Sequence, residues 1–216
     1  MNLQGEITET ALEAVQKRFY GVAVGIVTDV FDPLMQGRIK IKLPWFIGDE
    51  DTAWARVVTP SAGGNRGIYF IPKVDDEVLV AFEQGDIEHP YIIGSLWNLQ
   101  DMPPEESPLL GKSLIKTKVG HVLEFDDLKQ SITITTSTKQ KLMMDPSRIE
   151  LTTTEGTASI TLDTAGNVSI EGTLSIKLKA PTITIEGGVV DIKSNASTSI
   201  NGGPACNIQA AMVKIN

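Results

Sequence analysis

The sequence predicts an all-β protein with an N-terminal short helix, a small barrel, and an intertwined trimeric strand repeat of the β-helix or β-prism kind. Three observations carry this. First, short apolar doublets recur from Ser113 to Asn216: Ile160/Leu162, Val168/Ile170, Ile176/Leu178, Ile183/Ile185, Val190/Ile192, then Ile200, Ile208 and Val213/Ile215. Each alternates with polar neighbours, which places one face of a strand inward and the other in water. Second, eleven of the twelve aromatic residues precede Leu99, Phe125 being the exception. Third, five strand-like segments occupy about eighty residues before that point, with turn residues between them.

Taken in order, residues 1–19 read as an N-terminal helix. Leu12, Val15 and Phe19 share a helical face over Thr8 to Phe19, and Thr10-Ala11-Leu12-Glu13 has capping-box spacing. Residues 20–99 hold the five segments Gly21–Val30, Arg38–Leu43, Trp54–Thr59, Glu77–Glu83 and Tyr91–Leu96. Asp32-Pro33, Gly48-Asp49 and Gly85-Asp86 supply turns, and Ser61–Gly67 forms a longer Gly-rich loop. Five short strands without a further helix suit an OB-fold, with Trp54, Val80, Phe82 and Ile92 in its core. Residues 100–112 form a Pro- and acid-rich linker, Gln100 to Pro108 at its centre.

Residues 113–216 read as the trimeric strand repeat. Breakers such as Gly166-Asn167, Gly172, Ala180-Pro181, Gly187-Gly188 and Gly202-Gly203-Pro204 separate its strands. A step of seven to ten residues is too short to circle an axis in one chain. A unit that cannot bury its own face needs neighbours, and the natural ones are copies of itself. The expected axis residues are Ile160, Leu162, Ile170, Ile176, Leu178, Ile183, Ile185, Val190, Ile192, Ile200 and Ile208. An antiparallel sandwich of short strands is the alternative.

Charge divides at the same boundary. Residues 1–112 carry seventeen acidic and nine basic groups, a net of −8, and residues 113–216 carry ten of each. An acidic front half argues against nucleic acid, whose phosphates draw on Lys and Arg clusters. The single Cys206 excludes an internal disulfide framework. No apolar run has the length of a membrane span, and no secretory signal opens the chain.

No catalytic constellation emerges, and no cofactor or metal is expected. His89 precedes Pro90 in a predicted surface turn, and His121 is expected in the core or on the axis. Asp75-Asp76-Glu77 alternate in direction along a strand and cannot converge on a cation. Gly111-Lys112-Ser113 lacks the first glycine of a phosphate loop. Gly63-Gly64-Asn65-Arg66-Gly67 has no helix start after it and reads as a hairpin loop. A β-helical polysaccharide-degrading enzyme would want clustered carboxylates and sugar-stacking aromatics, and the repeat has one aromatic. A trimeric receptor- or carbohydrate-binding fibre is the rival from another class, but fibres end in a loop-rich head and this chain runs in strands to Asn216.

Four motifs occur in order. They are Asp32-Pro33-Leu34-Met35-Gln36-Gly37-Arg38-Ile39-Lys40-Ile41, Arg66-Gly67-Ile68-Tyr69-Phe70-Ile71-Pro72, Asp76-Glu77-Val78-Leu79-Val80-Ala81-Phe82 with Gly85-Asp86, and Pro90-Tyr91-Ile92-Ile93-Gly94-Ser95-Leu96-Trp97-Asn98. Together they resemble the OB domain of the VgrG and phage baseplate assembly protein V family. Asp75 departs from the pattern, since many members carry Gly there, and suggests a different turn. The resemblance implies a central spike of a phage tail, an extracellular phage-tail-like particle or a type VI secretion system. Such a particle is assembled in the bacterial cytoplasm, and its needle is driven through a target envelope. It also implies a homotrimer with a separate hub protein at the OB-domain end. Some members close their tip with a His-x-His metal site, which a chain without His after His121 cannot build. A strand end of alternating apolar residues, with Met212, Val213 or Ile215 exposed, therefore implies a docked PAAR-type tip protein, the alternative being a last strand that folds over and caps the axis itself.

Overall fold

A computed structural model of the chain describes residues 18–45, 52–104 and 111–214. The chain divides into two units, Met1–Leu109 and Leu110–Asn216. The predicted helix lies outside the described residues except for its last two positions. Those two are not helical: Arg18 bridges to Asp86, and the Phe19 amide donates to Gly85 O at 2.7 Å. Phe19 stacks on Trp45, with ring centroids 5.0 Å apart, and meets Phe82 edge-on.

The first unit is an OB-like sheet. Its strands are β1 (Val22–Asp29), β2 (Lys40–Lys42), β3 (Arg56–Val57), β4 (Ala62–Gly63), β5 (Arg66–Gly67), β6 (Glu77–Glu83) and β7 (Asp86–Ser95). Five of them form a sheet in the order β2-β1-β6-β7-β3, all antiparallel except β3 on β7. Its two edges meet where Ile39 and Ala55 exchange backbone hydrogen bonds of 3.0 and 2.7 Å. The alternation in each strand sends Ala23, Val27, Ile39, Ile41, Val78, Val80, Phe82 and Ile92 into one core. Gly25 lets β1 approach that core closely, because a Cβ there would lie 3.1 Å from Ile41 Cδ1 and 3.2 Å from Val80 Cγ2.

Several expectations change here. Trp54 is only half-buried: Ala55 takes the inward position, and Trp54 faces out beneath Arg38 and Lys40, 5.8 and 5.3 Å from its ring centroid. The last strand begins at Asp86, five residues earlier than read from sequence, because Gln84 and Gly85 alone make the turn, at φ 51° and 80°. His89 and Pro90 therefore lie within β7, and His89 Nδ1 is 3.1 Å from Asp86 Oδ2. The Gly63–Gly67 stretch is a hairpin, as expected, with Gly64-Asn65 as the turn between β4 and β5.

Asp75 needs no unusual turn. It adopts φ 75°, the left-handed region a glycine takes freely, and its amide donates to Val27 O at 2.9 Å. Asp75→Gly is accordingly expected to raise stability by about 1 kcal/mol, and Asp75→Val to lower it by at least as much, in denaturant titration. A melt in which glycine was no better than aspartate would remove the strain argument.

The second unit contains β8 (Lys112–Lys116), β9 (Val122–Asp126), β10 (Ser131–Thr135), β11 (Lys141–Met144), β12 (Arg148–Thr152), β13 (Ala158–Asp163) and β14 (Val168–Gly172). They form one seven-stranded antiparallel meander in sequence order. This corrects the expectation of intertwined strands over 112–172: each strand pairs with its sequence neighbour in the same chain. It is also a single sheet, not a sandwich. Residues 173–214 contain no strand ladder.

Candidate functional site

The meander has one apolar face, assembled from seven period-two segments in matching register. Directly opposed residues share a face, so the pairings define two rows across all seven strands. One row runs Ile115, Leu123, Ile134, Leu142, Leu151, Ile160, Ile170. The other runs Ser113, Phe125, Ile132, Met144, Ile149, Leu162, Val168. Thirteen of these fourteen side chains are apolar, and in a single chain eleven of them are exposed, Leu123 and Leu142 being half-buried; Ile160, for example, is 38% exposed and Val168 63%. The opposite face carries Glu124, Thr133, Glu150, Thr161 and Ser169 across its middle, with Leu114 and Met143 as the apolar exceptions. At ~4.8 Å per strand the apolar surface extends roughly 30 Å across the strands. Soluble monomers rarely expose a continuous patch of that size.

Two kinds of turn end the strands, and each has a repeated chemistry. On one edge lie three five-residue turns, 117–121, 136–140 and 153–157, each opened by threonine. The Thr117 hydroxyl accepts from the His121 amide at 3.1 Å, Thr136 from Gln140 at 3.1 Å, and Thr153 from Ala158 at 2.9 Å. The fourth residue of each has positive φ: Gly120 94°, Lys139 72°, Gly156 70°. On the other edge each turn follows an aspartate. Asp126 Oδ1 accepts from the Lys129 amide at 2.9 Å, and Asp145 Oδ1 from the Ser147 and Arg148 amides at 2.7 and 3.0 Å. Asp163 Oδ1 accepts from the Asn167 amide at 2.9 Å, and its Oδ2 from the Asn167 side chain at 2.8 Å.

These bonds hold all three carboxyls below the ordinary aspartate range. The leading cause is the Lys129 amide for Asp126, the Ser147 hydroxyl for Asp145 and the Asn167 side chain for Asp163. A depressed folded-state pKa contributes stability that is complete above the unfolded value and is lost as pH falls through the folded one. The second unit is thus expected to hold a flat stability profile at neutral pH and to weaken from about pH 4 downwards. Circular dichroism melts between pH 7 and pH 2 measure this. Asp163→Asn should flatten the acid slope, and an unchanged slope would exclude Asp163 as a contributor.

Of the expected axis residues, Ile160, Leu162 and Ile170 are brought together on this face. Ile176, Leu178, Ile183, Ile185, Val190, Ile192, Ile200 and Ile208 are not: they lie in the stretch without a ladder, each between 51 and 72% exposed. Met212 and Val213 are exposed, and Ile215 lies outside the described residues. His121 is not a core residue: it is exposed in the first threonine turn, where its Nδ1 accepts from the Ser137 amide at 3.1 Å. The contributions of β8 to β12 were missed, although Ile132-Thr133-Ile134 and Ile149-Glu150-Leu151 carry the same alternation as the later doublets. Among the described residues no group of His, Cys, Asp or Glu is placed to hold a metal ion, and no helix is long and apolar enough to cross a membrane.

An OB-like unit followed in sequence by an antiparallel sheet with one apolar face defines the class. Comparison with known proteins narrows it. Residues 23–97 match the type VI secretion system/phage-baseplate injector OB domain, and residues 112–175 match the phage baseplate V C-terminal trimerisation domain. The type VI secretion system spike protein VgrG1a of Pseudomonas aeruginosa is 36% identical over 76 residues, 33% of this chain and 12% of its own length. The type VI secretion system spike protein VgrG3 of Vibrio cholerae is 33% identical over 76 residues, 33% of this chain and 8% of its own. The actin cross-linking toxin VgrG1 of Vibrio cholerae is 31% identical over 97 residues, 43% of this chain and 9% of its own. The chain spans about a tenth of the length of the curated relatives it matches. It belongs to the VgrG/phage baseplate assembly protein V family.

Proposed function

We propose that the chain is the structural, non-enzymatic central spike of a contractile injection apparatus and works as a homotrimer. The observation that carries this is the two-row apolar face. Three such faces turned toward one threefold axis bury every row, and each side chain so covered contributes on the order of 1 kcal/mol. The match of residues 112–175 to a trimerisation domain supports the same stoichiometry. In this reading the stretch 173–214 continues the axis. Its apolar positions Ile176, Ile183 and Val190 recur every seven residues, as do Leu178, Ile185 and Ile192, and no strand ladder within the chain includes them.

The spike pierces a target envelope between two further proteins. A hub docks on the OB-like unit, where Phe31, Leu34, Met35, Tyr69 and Phe70 are exposed. A PAAR-type tip protein docks on residues 206–216, where Met212 and Val213 are exposed. The finished particle is a phage tail, an extracellular tail-like particle or a type VI apparatus.

Multi-angle light scattering of the full chain tests the core of the reading, with a single trimeric species expected and a stable folded monomer fatal to it. Pull-down of a candidate cone protein tests the tip. Deleting residues 207–216 should abolish capture, and retained capture would move the docking surface elsewhere.

A further inference from the structure

Symmetry adds a contact that the apolar face alone does not specify. The two rows cross all seven strands, so they can be surrounded at every level only if they run along the threefold axis. The strands then lie across the axis, and their turns fall at the corners between copies. Rotation by a threefold axis is cyclic and carries each sheet onto the next without inverting it. Each corner therefore joins unlike edges: the threonine-turn edge of one copy and the aspartate-turn edge of its neighbour.

The two edges differ in charge as such a junction requires. Turns 117–121, 136–140 and 153–157 hold Lys118, Lys139 and Glu155, a net of +1 with His121 neutral. Residues 126–130, 145–147 and 163–167 hold Asp126, Asp127, Asp145, Asp163 and Lys129, a net of −3. The levels also interleave. The turn carrying Lys139 joins β10 to β11, while the aspartate turns flanking it join β9 to β10 and β11 to β12. A lysine turn of one copy thus falls between two acidic turns of the next.

We propose that the spike trimer is locked at its three corners by this head-to-tail contact, with Lys118 and Lys139 of one copy set against the Asp126/Asp127 and Asp145 turns of a second copy of the same chain. The contact favours a cyclic, head-to-tail order of the copies over a pairing about a twofold axis along the strands, which would set like edges together. It rests on the trimer reading above.

The test uses the full chain with Cys206→Ser, adding Lys139→Cys and Asp127→Cys. Both sites are exposed, and Asp127 bears none of the turn-forming carboxylates. A short bismaleimide should link the double variant into covalent dimers and trimers, while either single variant stays unlinked. If light scattering shows a trimer that does not cross-link, or if Lys139→Cys alone links to itself, the corner contact is wrong and the trimer stands. If no trimer is found, both fall. A second variant keeps the charge argument falsifiable. Lys118→Glu with Lys139→Glu should raise the trimer dissociation constant about tenfold at low salt, and adding Asp127→Lys should recover part of it. No change at low salt would overturn the electrostatic selection.

Discussion

Replacing Ile160 with Asp is expected to leave a folded monomer in place of the trimer. Ile160 pairs with Leu151 on one side and Ile170 on the other, in the middle of a continuous apolar row. In a single chain its side chain already meets water, so the strand ladder of β13 does not depend on it. In the trimer it faces the axis, and the substitution places three carboxylates there without partners. An unpaired buried charge costs several kcal/mol even after relaxation, which outweighs the roughly 1 kcal/mol lost with each covered isoleucine. Thr161→Asp is the control, because Thr161 is one residue away and on the polar face; it should remain trimeric. Ile185→Asp carries the same expectation for the stretch beyond Gly172. Light scattering beside circular dichroism separates dissociation from unfolding. A trimeric Ile160→Asp variant would show that some other surface holds the copies together.

The faces of the strands were legible in the sequence, and their partners were not. Period-two alternation fixes which side of a strand is apolar whether its neighbour is another chain or the next segment of its own. Ile160, Leu162 and Ile170 could thus be assigned to a common face while the pairing scheme was misread. The turns held the missing information. A threonine opening a five-residue loop, as at Thr117, Thr136 and Thr153, alternates with an aspartate opening another, as at Asp126, Asp145 and Asp163. That alternation marks hairpins, and hairpins pair within the chain.

In the first unit, Glu77–Glu83 was read with the bounds it has, because Val78, Val80 and Phe82 alternate without interruption. Strand β7 was cut short since Gly85-Asp86 reads as a turn; the two positive φ angles belong to Gln84 and Gly85, which frees Asp86 to begin the strand. Trp54 was assigned to the core with its strand, whereas the Ile39–Ala55 bridge decides which way that segment faces. Contacts formed over such distances in sequence leave no local pattern to read.

Replacing Asp32 with Ala is expected to destabilise the first unit markedly, because its carboxylate is almost fully covered beside Arg38. Asp32 organises the loop between β1 and β2. Its Oδ1 accepts from the Leu34 amide at 3.0 Å and Arg38 Nη2 at 2.7 Å. Its Oδ2 accepts from the Gln36 amide at 2.8 Å, the Arg38 amide at 3.3 Å and Arg38 Nε at 3.0 Å. Above all the Arg38 guanidinium, gripped at two points, holds the carboxyl far below the usual aspartate range. The loop also keeps Met35 and Gly37 at positive φ, 53° and 70°, a path that depends on this clamp. Alanine removes the acceptor of three backbone amides and leaves Arg38, above Trp54, without its paired carboxylate. A fall in melting midpoint of roughly 5–10 °C is expected, with Asp32→Asn intermediate, since it can still accept from the amides but cannot pair with the cation. Arg38→Lys should also weaken the loop, because an ammonium cannot make the two-pronged contact. The contribution is complete above the ordinary carboxylate range and lost in acid, so the gap between wild type and Asp32→Ala should close as pH falls below that range. Hub capture adds a functional readout, for the clamp positions exposed Phe31, Leu34 and Met35. An Asp32→Ala protein with unchanged melting at neutral pH would show that the loop keeps its shape without the clamp.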